Sequence, residues 1–180
     1  LQFVINGGTG DDTLTSGTGI DTIDAGTGAD TIDTGVDSLV DTVTFAAGDS
    51  VVTLSGITNG TISGYDTLAA GFTDGHSTGS SDVINLTNGT TTVLTNTSAS
   101  NGANSTFIMN NGAVIKSHAI AGGLMTFDDA EIFSIAVALT RESDAAAVVQ
   151  YLQGIDHGNA GATVMFDVGS DTWLFSQGAD

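Results

Sequence analysis

The residues best suited to chemistry in this chain are aspartates that recur every nine positions near its start. Asp12, Asp21 and Asp30 are each the sixth residue of a nine-residue block, and the three blocks run end to end over 7–33. In every block glycine occupies positions two and four, and an aliphatic residue occupies position eight. Carboxylate and carbonyl oxygens are hard ligands, which calcium prefers to the nitrogen and sulfur ligands favoured by zinc and copper. The blocks therefore predict calcium binding.

The local structure of such a block follows from its glycines. Glycine adopts positive φ without the steric penalty of a Cβ atom, so the chain can turn sharply. The turn aims carbonyl oxygens inward, and the aspartate that follows adds a carboxylate. Leu14, Ile23 and Ile32 then fall at the same position of three short strands, where they can stack into a thin core. A disordered linker rich in glycine and aspartate is the alternative, but a linker does not keep an aliphatic residue in register.

The three blocks resemble the glycine-rich nonapeptide of the RTX family of secreted calcium-binding proteins. This resemblance implies a parallel β-roll in which two blocks make one turn and each calcium lies between loops two blocks apart. Asp12 and Asp30 would then share one edge of the roll, with Asp21 on the opposite edge. The implied ligands at the first edge are these two carboxylates and the carbonyls of Gly8, Gly10, Ala25 and Thr27. Half of a second site would come from Gly17, Gly19 and Asp21, and the candidate metal-binding residues also include Gly26, Gly28 and Asp41.

After residue 33 the repeat continues in degenerate copies. Residues 41–45 read as a fourth block with a short insertion, and 64–68 and 81–86 keep the aspartate and aliphatic positions without the glycine pair. We interpret 1–86 as one β-roll whose later turns bind calcium weakly or not at all. Turn capping is expected ahead of metal binding for the aspartates of these later turns, Asp41, Asp66 and Asp82.

The remainder, 87–180, is predicted to be β-rich with one short helix, so the whole chain is expected to be dominated by β-structure. A helix is expected near 142–153, where an alanine-rich run has acidic residues at its start and glycine at its end. Hairpins are expected near 162–176 and around the turn residues 110–112. The apolar run 131–139 predicts a buried strand or part of a helix.

Composition narrows the classes of partner. Net charge is −19, with only Lys116 and Arg141 as basic residues. Because binding to phosphates requires basic residues, nucleic acid is excluded as a natural partner, and unaided docking on anionic lipid is disfavoured. Hydrophobic residues make up 40% of the chain, so it is expected to fold once a cation neutralises its carboxylates. The chain has no cysteine, so a metal would replace disulfides as the cross-link, and no apolar run is long enough to span a membrane.

No catalytic constellation stands out, so we expect that the protein is not an enzyme. The spacing of a zinc-binding helix is missing among the histidines, which are His76, His118 and His157. Asp128, Asp129 and Glu131 are close enough in sequence to act as paired catalytic carboxylates. A helix start or an additional calcium ligand set is favoured for them instead.

The sequence therefore predicts a calcium-dependent, secreted structural protein of the bacterial cell surface. Residues 140–180 also resemble the C-terminal region of RTX surface-layer proteins, although the chain stops at Asp180, where that resemblance implies a further strand. Self-association into an extracellular assembly is expected, without membrane insertion, and cell-surface polysaccharide is a further candidate partner. The alternative is the C-terminal calcium-folding and type I secretion module of a larger RTX enzyme, toxin or adhesin.

Two further expectations concern export and ligands. The chain opens with the strand-like residues 1–5 and has no N-terminal signal peptide, so we expect a fragment or processed product. RTX proteins generally leave the cell through an uncleaved C-terminal signal, with which this start is compatible. An ice-binding face built from Thr9, Thr18 and Thr27 is disfavoured, because alternate loops would point to opposite edges.

Overall fold

A computed structural model describes residues 1–46, 51–55, 59–68, 83–86, 92–93, 97–99, 107–121, 124–155 and 162–176. The chain forms two compact units. The first comprises Leu1–Val51 and Ser63–Asn88, and the second comprises Val52–Ile62 and Gly89–Asp180. Residues 52–62, which the sequence analysis placed in the first region, are thus part of the second unit.

Short strands of β-branched residues dominate the first half of the chain. They are β1 (Val4–Asn6), β2 (Thr13–Thr15), β3 (Thr22–Asp24), β4 (Thr31–Asp33), β5 (Thr42–Phe45), β6 (Val51–Ser55), β7 (Asn59–Ser63), β8 (Thr67–Leu68) and β9 (Val83–Leu86). β6 and β7 pair with each other. The remaining strands form two parallel sheets, in the orders β1-β3-β5-β9 and β2-β4-β8. From β1 to β5, successive strands therefore alternate between the two sheets.

The register of these sheets reproduces the sequence period. Val4 pairs with Thr22 in one sheet and Thr13 with Thr31 in the other, so each residue faces the one two blocks later. Between β3 and β5 the offset grows, because Thr22 pairs with Thr42. The extra residues lie in the loop 34–41, which absorbs them without disturbing the ladder.

A thin hydrophobic core lies within the first unit. It consists of Leu14, Ile23, Ala25, Ile32 and Val43, with partly buried Ile5, Phe45 and Leu68 packed against it. Ile23, Ile32 and Val43 have no exposed surface. The expected stacking of the aliphatic residues at position eight is confirmed. Burial of each such side chain stabilises the fold by roughly 1.5–3 kcal/mol.

The second unit is built on a six-stranded sheet with one helix. Besides the paired β6 and β7, its elements are β10 (Thr92–Val93), β11 (Thr97–Ala99), β12 (Ser117–Ala121), β13 (Leu124–Asp128), α1 (Glu142–Gly154), β14 (Ala162–Val168) and β15 (Asp171–Ser176). The sheet has the order β10-β14-β13-β12-β11, and β15 pairs antiparallel with β14. α1 is the helix expected at 142–153, and β14 with β15 is the hairpin expected at 162–176. The chain is therefore dominated by β-structure, with parallel sheets and one helix among the described residues.

Two other sequence expectations for this unit are wrong. Residues 131–139 form neither a strand nor a helix, and Ile132 and Ile135 are largely exposed. The turn at 110–112 exists, since Met109 N–H donates to Ala113 O at 2.8 Å, but its described flanks are not strands. Polar side chains bind the backbone in both places: Asp128 accepts three N–H groups of the loop that follows it, and Asn111 accepts the N–H of Ala113.

Candidate calcium sites

The glycine-rich loops of the first unit lie side by side in pairs. The first loop pair, 7–12 and 25–30, precedes β2 and β4; the second loop pair, 16–21 and 34–41, precedes β3 and β5. In the first pair, Gly10 N–H donates to Thr27 O at 2.8 Å and Thr27 N–H donates to Gly8 O at 2.9 Å. Gly26 has φ of 95° and lies so close to the Gly8 backbone that a Cβ atom has no room. Glycine at this position is thus required twice, for its conformation and for close approach.

The aspartates at position six form a ladder between neighbouring loops. Oδ1 of Asp21 and Asp30, and of the equivalent Asp41 and Asp66 in later turns, accepts a backbone N–H from an earlier segment of the chain. The donors are Phe3 N for Asp21 at 2.7 Å, Asp12 N for Asp30 at 2.9 Å, Asp21 N for Asp41 at 2.8 Å and Asp30 N for Asp66 at 3.0 Å. Each carboxylate is therefore held in one orientation by the backbone of a preceding segment.

The Oδ2 atoms of three aspartates at position six have no hydrogen-bond partner. The Oδ2 atoms of Asp12, Asp21 and Asp30 are buried and accept no hydrogen bond. Asp21 and Asp30 are each only 1% exposed. A buried polar atom without a partner costs about 1–3 kcal/mol, and a charged one costs more. These oxygens are therefore the atoms at which a cation would fit.

At the first loop pair a carbonyl and a carboxylate oxygen converge. Ala25 O and Asp12 Oδ2 both lie within 3.1 Å of the position that a Cβ atom on Gly7 would occupy. Glycine is required at position 7, because a Cβ atom there would clash with Ala25 O. Calcium is held by six to eight oxygens from carboxylates, carbonyls and water, and the two oxygens here are of that type.

The structure brings some of the predicted ligands together and uses others differently. Asp12 and Ala25 converge as expected from the resemblance, and Asp30 lies beside Asp12. The carbonyls of Gly8 and Thr27 each already accept an N–H from the facing loop, which leaves each oxygen one further lone pair. The predicted carbonyl oxygens of Gly10 and Gly17 lie against Gly28 and Gly35 of the facing loops. Among the residues that the structure describes, no group of three or more histidine, aspartate or glutamate side chains is placed to hold a metal, so backbone carbonyls would have to complete any site.

The second loop pair contains two groups that sequence reasoning missed. The Ser16 hydroxyl donates to Thr34 O at 3.0 Å. The Asp37 carboxylate accepts Leu39 N–H at 2.6 Å and Gly19 N–H at 2.7 Å. Both hydrogen bonds lower the pKa of this carboxyl below its usual value, and the bond from Leu39 has the larger effect. One indication of the role of Asp37 is present in the sequence, since this residue stands where the fourth block should have its second glycine.

Asp128 and Glu131, the candidates for paired catalytic carboxylates, have different partners in the second unit. Asp128 accepts the N–H groups of Ile135, Ser134 and Ala130, which hold its pKa well below the usual range. Glu131 instead lies 3.7 Å from the Lys116 ammonium. No helix begins at these residues, so that expectation is wrong, and Asp128 acts as the anchor of the 129–135 loop.

His118 is the one candidate histidine within the described residues, since His76 and His157 lie outside them, as does Asp82. It is 4% exposed, and its Nδ1 lies 2.7 Å from the Tyr151 hydroxyl of α1. Burial lowers the pKa of its imidazole. Its surroundings are the aromatic packing of the second unit, which includes Phe127 in edge-to-face contact with Tyr151.

Comparison of the chain with protein-family models, curated proteins and solved structures finds no match. Within the described part of the chain, no helix combines the length and the apolar character that crossing a membrane requires.

Proposed function

We propose that this protein is a calcium-dependent structural protein of the cell surface, secreted and assembled outside the cell, whose first unit is an RTX-type parallel β-roll. The observation that carries the proposal is the set of buried, unpartnered carboxylate oxygens of Asp12, Asp21 and Asp30. They belong to loops that lead into strands of two parallel sheets paired in the period of the repeat. This combination is what a nonapeptide calcium repeat predicts.

Electrostatics supports a cation as the missing partner. Lys116 and Arg141 both fall in the second unit, so the first unit contains no lysine or arginine to neutralise its aspartates. Ionised carboxylates are costly to bury without a counter-charge. Bound calcium would supply positive charge and coordination positions for these unpartnered oxygens. Backbone N–H groups already hold the carboxylates of Asp21 and Asp30 in fixed orientations.

If calcium binds only the folded chain, the calcium concentration would control whether the chain folds. A ligand that binds only the folded chain stabilises it in proportion to the logarithm of its concentration. Extracellular calcium modules have Kd values on the order of 10⁻⁴–10⁻³ M. Sites of that strength are empty in the cytosol, where repulsion between aspartates keeps the chain export-competent, and filled outside the cell.

Assembly outside the cell is the second part of the proposal. β1 and β2 are terminal strands of the two parallel sheets as described, and a terminal strand offers unpaired backbone groups to a neighbouring chain. Phe3 and Val4, at β1, are 40% and 81% exposed. Self-association through such strands would build an extracellular lattice, with cell-surface polysaccharide as an additional partner and no catalytic role for the chain.

Circular dichroism and sedimentation velocity test both parts, in about 10 mM calcium, in the same concentration of magnesium, and in chelator. We expect an expanded monomer in chelator and in magnesium, and a folded, associating chain in calcium. An equally compact chain in all three conditions overturns calcium-dependent folding. A compact monomer in calcium overturns the assembly role and favours the C-terminal export module.

A further inference from the structure

An apolar segment of the second unit, residues 131–139, lies at the surface. Ile132 is 73% exposed and Ile135 is 77% exposed. The eight residues that follow Glu131 carry no charge. Single apolar side chains scattered over a surface need no explanation, but two isoleucines exposed to this extent within four residues indicate a binding surface.

This segment is tied to the sheet of the second unit along its length. Asp128, at the end of β13, accepts three N–H groups of the residues that follow it. Further along, Val137 N–H donates to Phe127 O at 2.8 Å, and Leu139 O accepts Gly169 N–H at 2.9 Å. Because a surface that is already ordered loses little entropy when it binds, isoleucines held in this way are suited to contact a partner.

A cavity opens beside the end of the same segment. Its volume is about 210 Å³, and it is lined by residues 124–127 of β13, by residues 137–139 and by Asp167. Thr126 and Asp167 are the polar residues of this lining, and the others are apolar. The chain therefore has exposed isoleucines and a mostly apolar cavity within a few residues of each other.

The distribution of charge favours a second copy of this chain as the partner. With a net charge of −19, two copies repel each other where acidic surfaces meet. Lys116 and Arg141, the only basic residues of the chain, flank the segment: Lys116 Nζ lies 3.7 Å from Glu131, and Arg141 follows its end. Repulsion between two copies is therefore smallest here. A rim that carries both a cation and an anion is also self-complementary, as a two-fold contact requires.

We propose that the 131–139 segment is a self-association surface, at which two copies related by a two-fold axis each insert Ile132 and Ile135 into the cavity of the other. Because the isoleucines and the cavity belong to the same chain, each pair of copies has two equivalent contacts. This inference rests on the self-association in the proposed function, and it assigns to that association a surface of the second unit, in addition to the terminal strands of the first.

Analytical ultracentrifugation in calcium, over a range of protein concentrations, tests the surface. Replacing both isoleucines, Ile132→Thr with Ile135→Thr, should raise the Kd of self-association about tenfold or more, and so should Ala138→Glu, at an exposed residue of the cavity lining. Ile108→Thr is the matched control, because Ile108 is 38% exposed and lies outside the cavity lining, so its replacement should leave the Kd unchanged. Hydrogen exchange at low and high concentration should show added protection of 131–139 in wild type and none in the double variant.

A mixture of the two kinds of variant tests the reciprocal geometry. In a mixed pair, the isoleucines of the Ala138→Glu chain meet the unaltered cavity of the double variant, so one of the two contacts is restored. The mixture is expected to associate more strongly than either variant alone. A mixture that associates no more strongly overturns the insertion of isoleucines into the cavity.

The outcomes separate this inference from the proposed function. A wild-type chain that stays monomeric in calcium overturns the assembly role, and this inference falls with it. A wild-type chain that associates, with the same Kd in the double isoleucine variant, overturns the inference alone and leaves assembly to the terminal strands. An equal rise in Kd in Ile108→Thr also overturns it, because the effect would then not depend on the 131–139 segment.

Discussion

Replacing Asp30 by asparagine separates the charge of this residue from its structural hydrogen bond. Asp30 Oδ1 accepts Asp12 N–H at 2.9 Å, and its own N–H donates to Asp66 at 3.0 Å. Asparagine keeps an Oδ1 acceptor and the backbone N–H. It replaces the anionic, unpartnered Oδ2 by a neutral amide, which cannot serve as a calcium ligand in the same orientation.

The expected effect depends on calcium. In chelator, relief of repulsion among neighbouring carboxylates is offset by the cost of a buried amide donor without a partner, about 1–3 kcal/mol. We therefore expect both chains to be expanded in chelator, with free energies of unfolding within about 1 kcal/mol of each other. In about 10 mM calcium, a site with Kd near 10⁻⁴ M stabilises the wild-type fold by about 2.7 kcal/mol, and Asp30→Asn should lose that stabilisation.

Circular dichroism during a calcium titration compares the folding of the two chains from the expanded state in chelator, and urea unfolding in calcium measures the stabilisation that the variant loses. Asp24→Asn is the matched control, because Asp24 is exposed on β3 and its replacement should change the free energy of unfolding by less than about 0.5 kcal/mol in either condition. Hydrogen exchange at the Asp12 amide reports the retained bond directly. An Asp30→Asn chain that gains as much stability from calcium as wild type refutes the assignment of Asp30 Oδ2 as a ligand.

Further predictions concern particular residues of both units. In denaturant titrations Gly26→Ala should destabilise the fold by more than Gly8→Ala. Both positions have positive φ, which strains alanine by about 1–2 kcal/mol, but only at Gly26 would the added Cβ atom also clash with backbone atoms. Equal losses of stability in the two variants would contradict this. Asp128→Ala should cost at least about 1.5–3 kcal/mol and speed proteolysis within 129–135, whereas the exposed Asp129→Ala should do neither. Burial holds the pKa of folded His118 below its ordinary value of 6.5, so the unfolded chain binds more protons below that pH, and the free energy of unfolding should fall as pH drops below 6.5. His118→Phe should flatten this segment of the pH profile, and an unchanged slope would assign it to other groups.

The parts of the fold that could be predicted from the sequence are those fixed by a local period. The recurrence of an aliphatic residue every nine positions was sufficient to predict the buried row of Leu14, Ile23 and Ile32, since each residue repeats the environment of the previous one. Helix α1 was equally accessible, because alanine content and flanking residues act within a few positions.

The parts that were missed depend on contacts between distant residues. Residues 131–139 are apolar, yet they follow an irregular path because Asp128 collects three N–H groups and leaves no regular ladder. In the candidate sites, no local pattern reveals that the Ser16 hydroxyl reaches Thr34 O, or that Asp37 caps the amide of Gly19. Such contacts exist only once the loops lie side by side, so their positions follow from the register and not from either loop alone.

The alternation of strands between two sheets has a consequence for how such a gene can change in length. Loss of one nine-residue block would send every later strand to the other sheet and every later aspartate to the other loop pair. Loss of two consecutive blocks leaves the pairing partners of all remaining strands equivalent, because Val4 and Thr22, or Thr13 and Thr31, already lie two blocks apart. Duplications and deletions compatible with this fold therefore come in pairs of blocks, while single residues can be added in loops, as in 34–41.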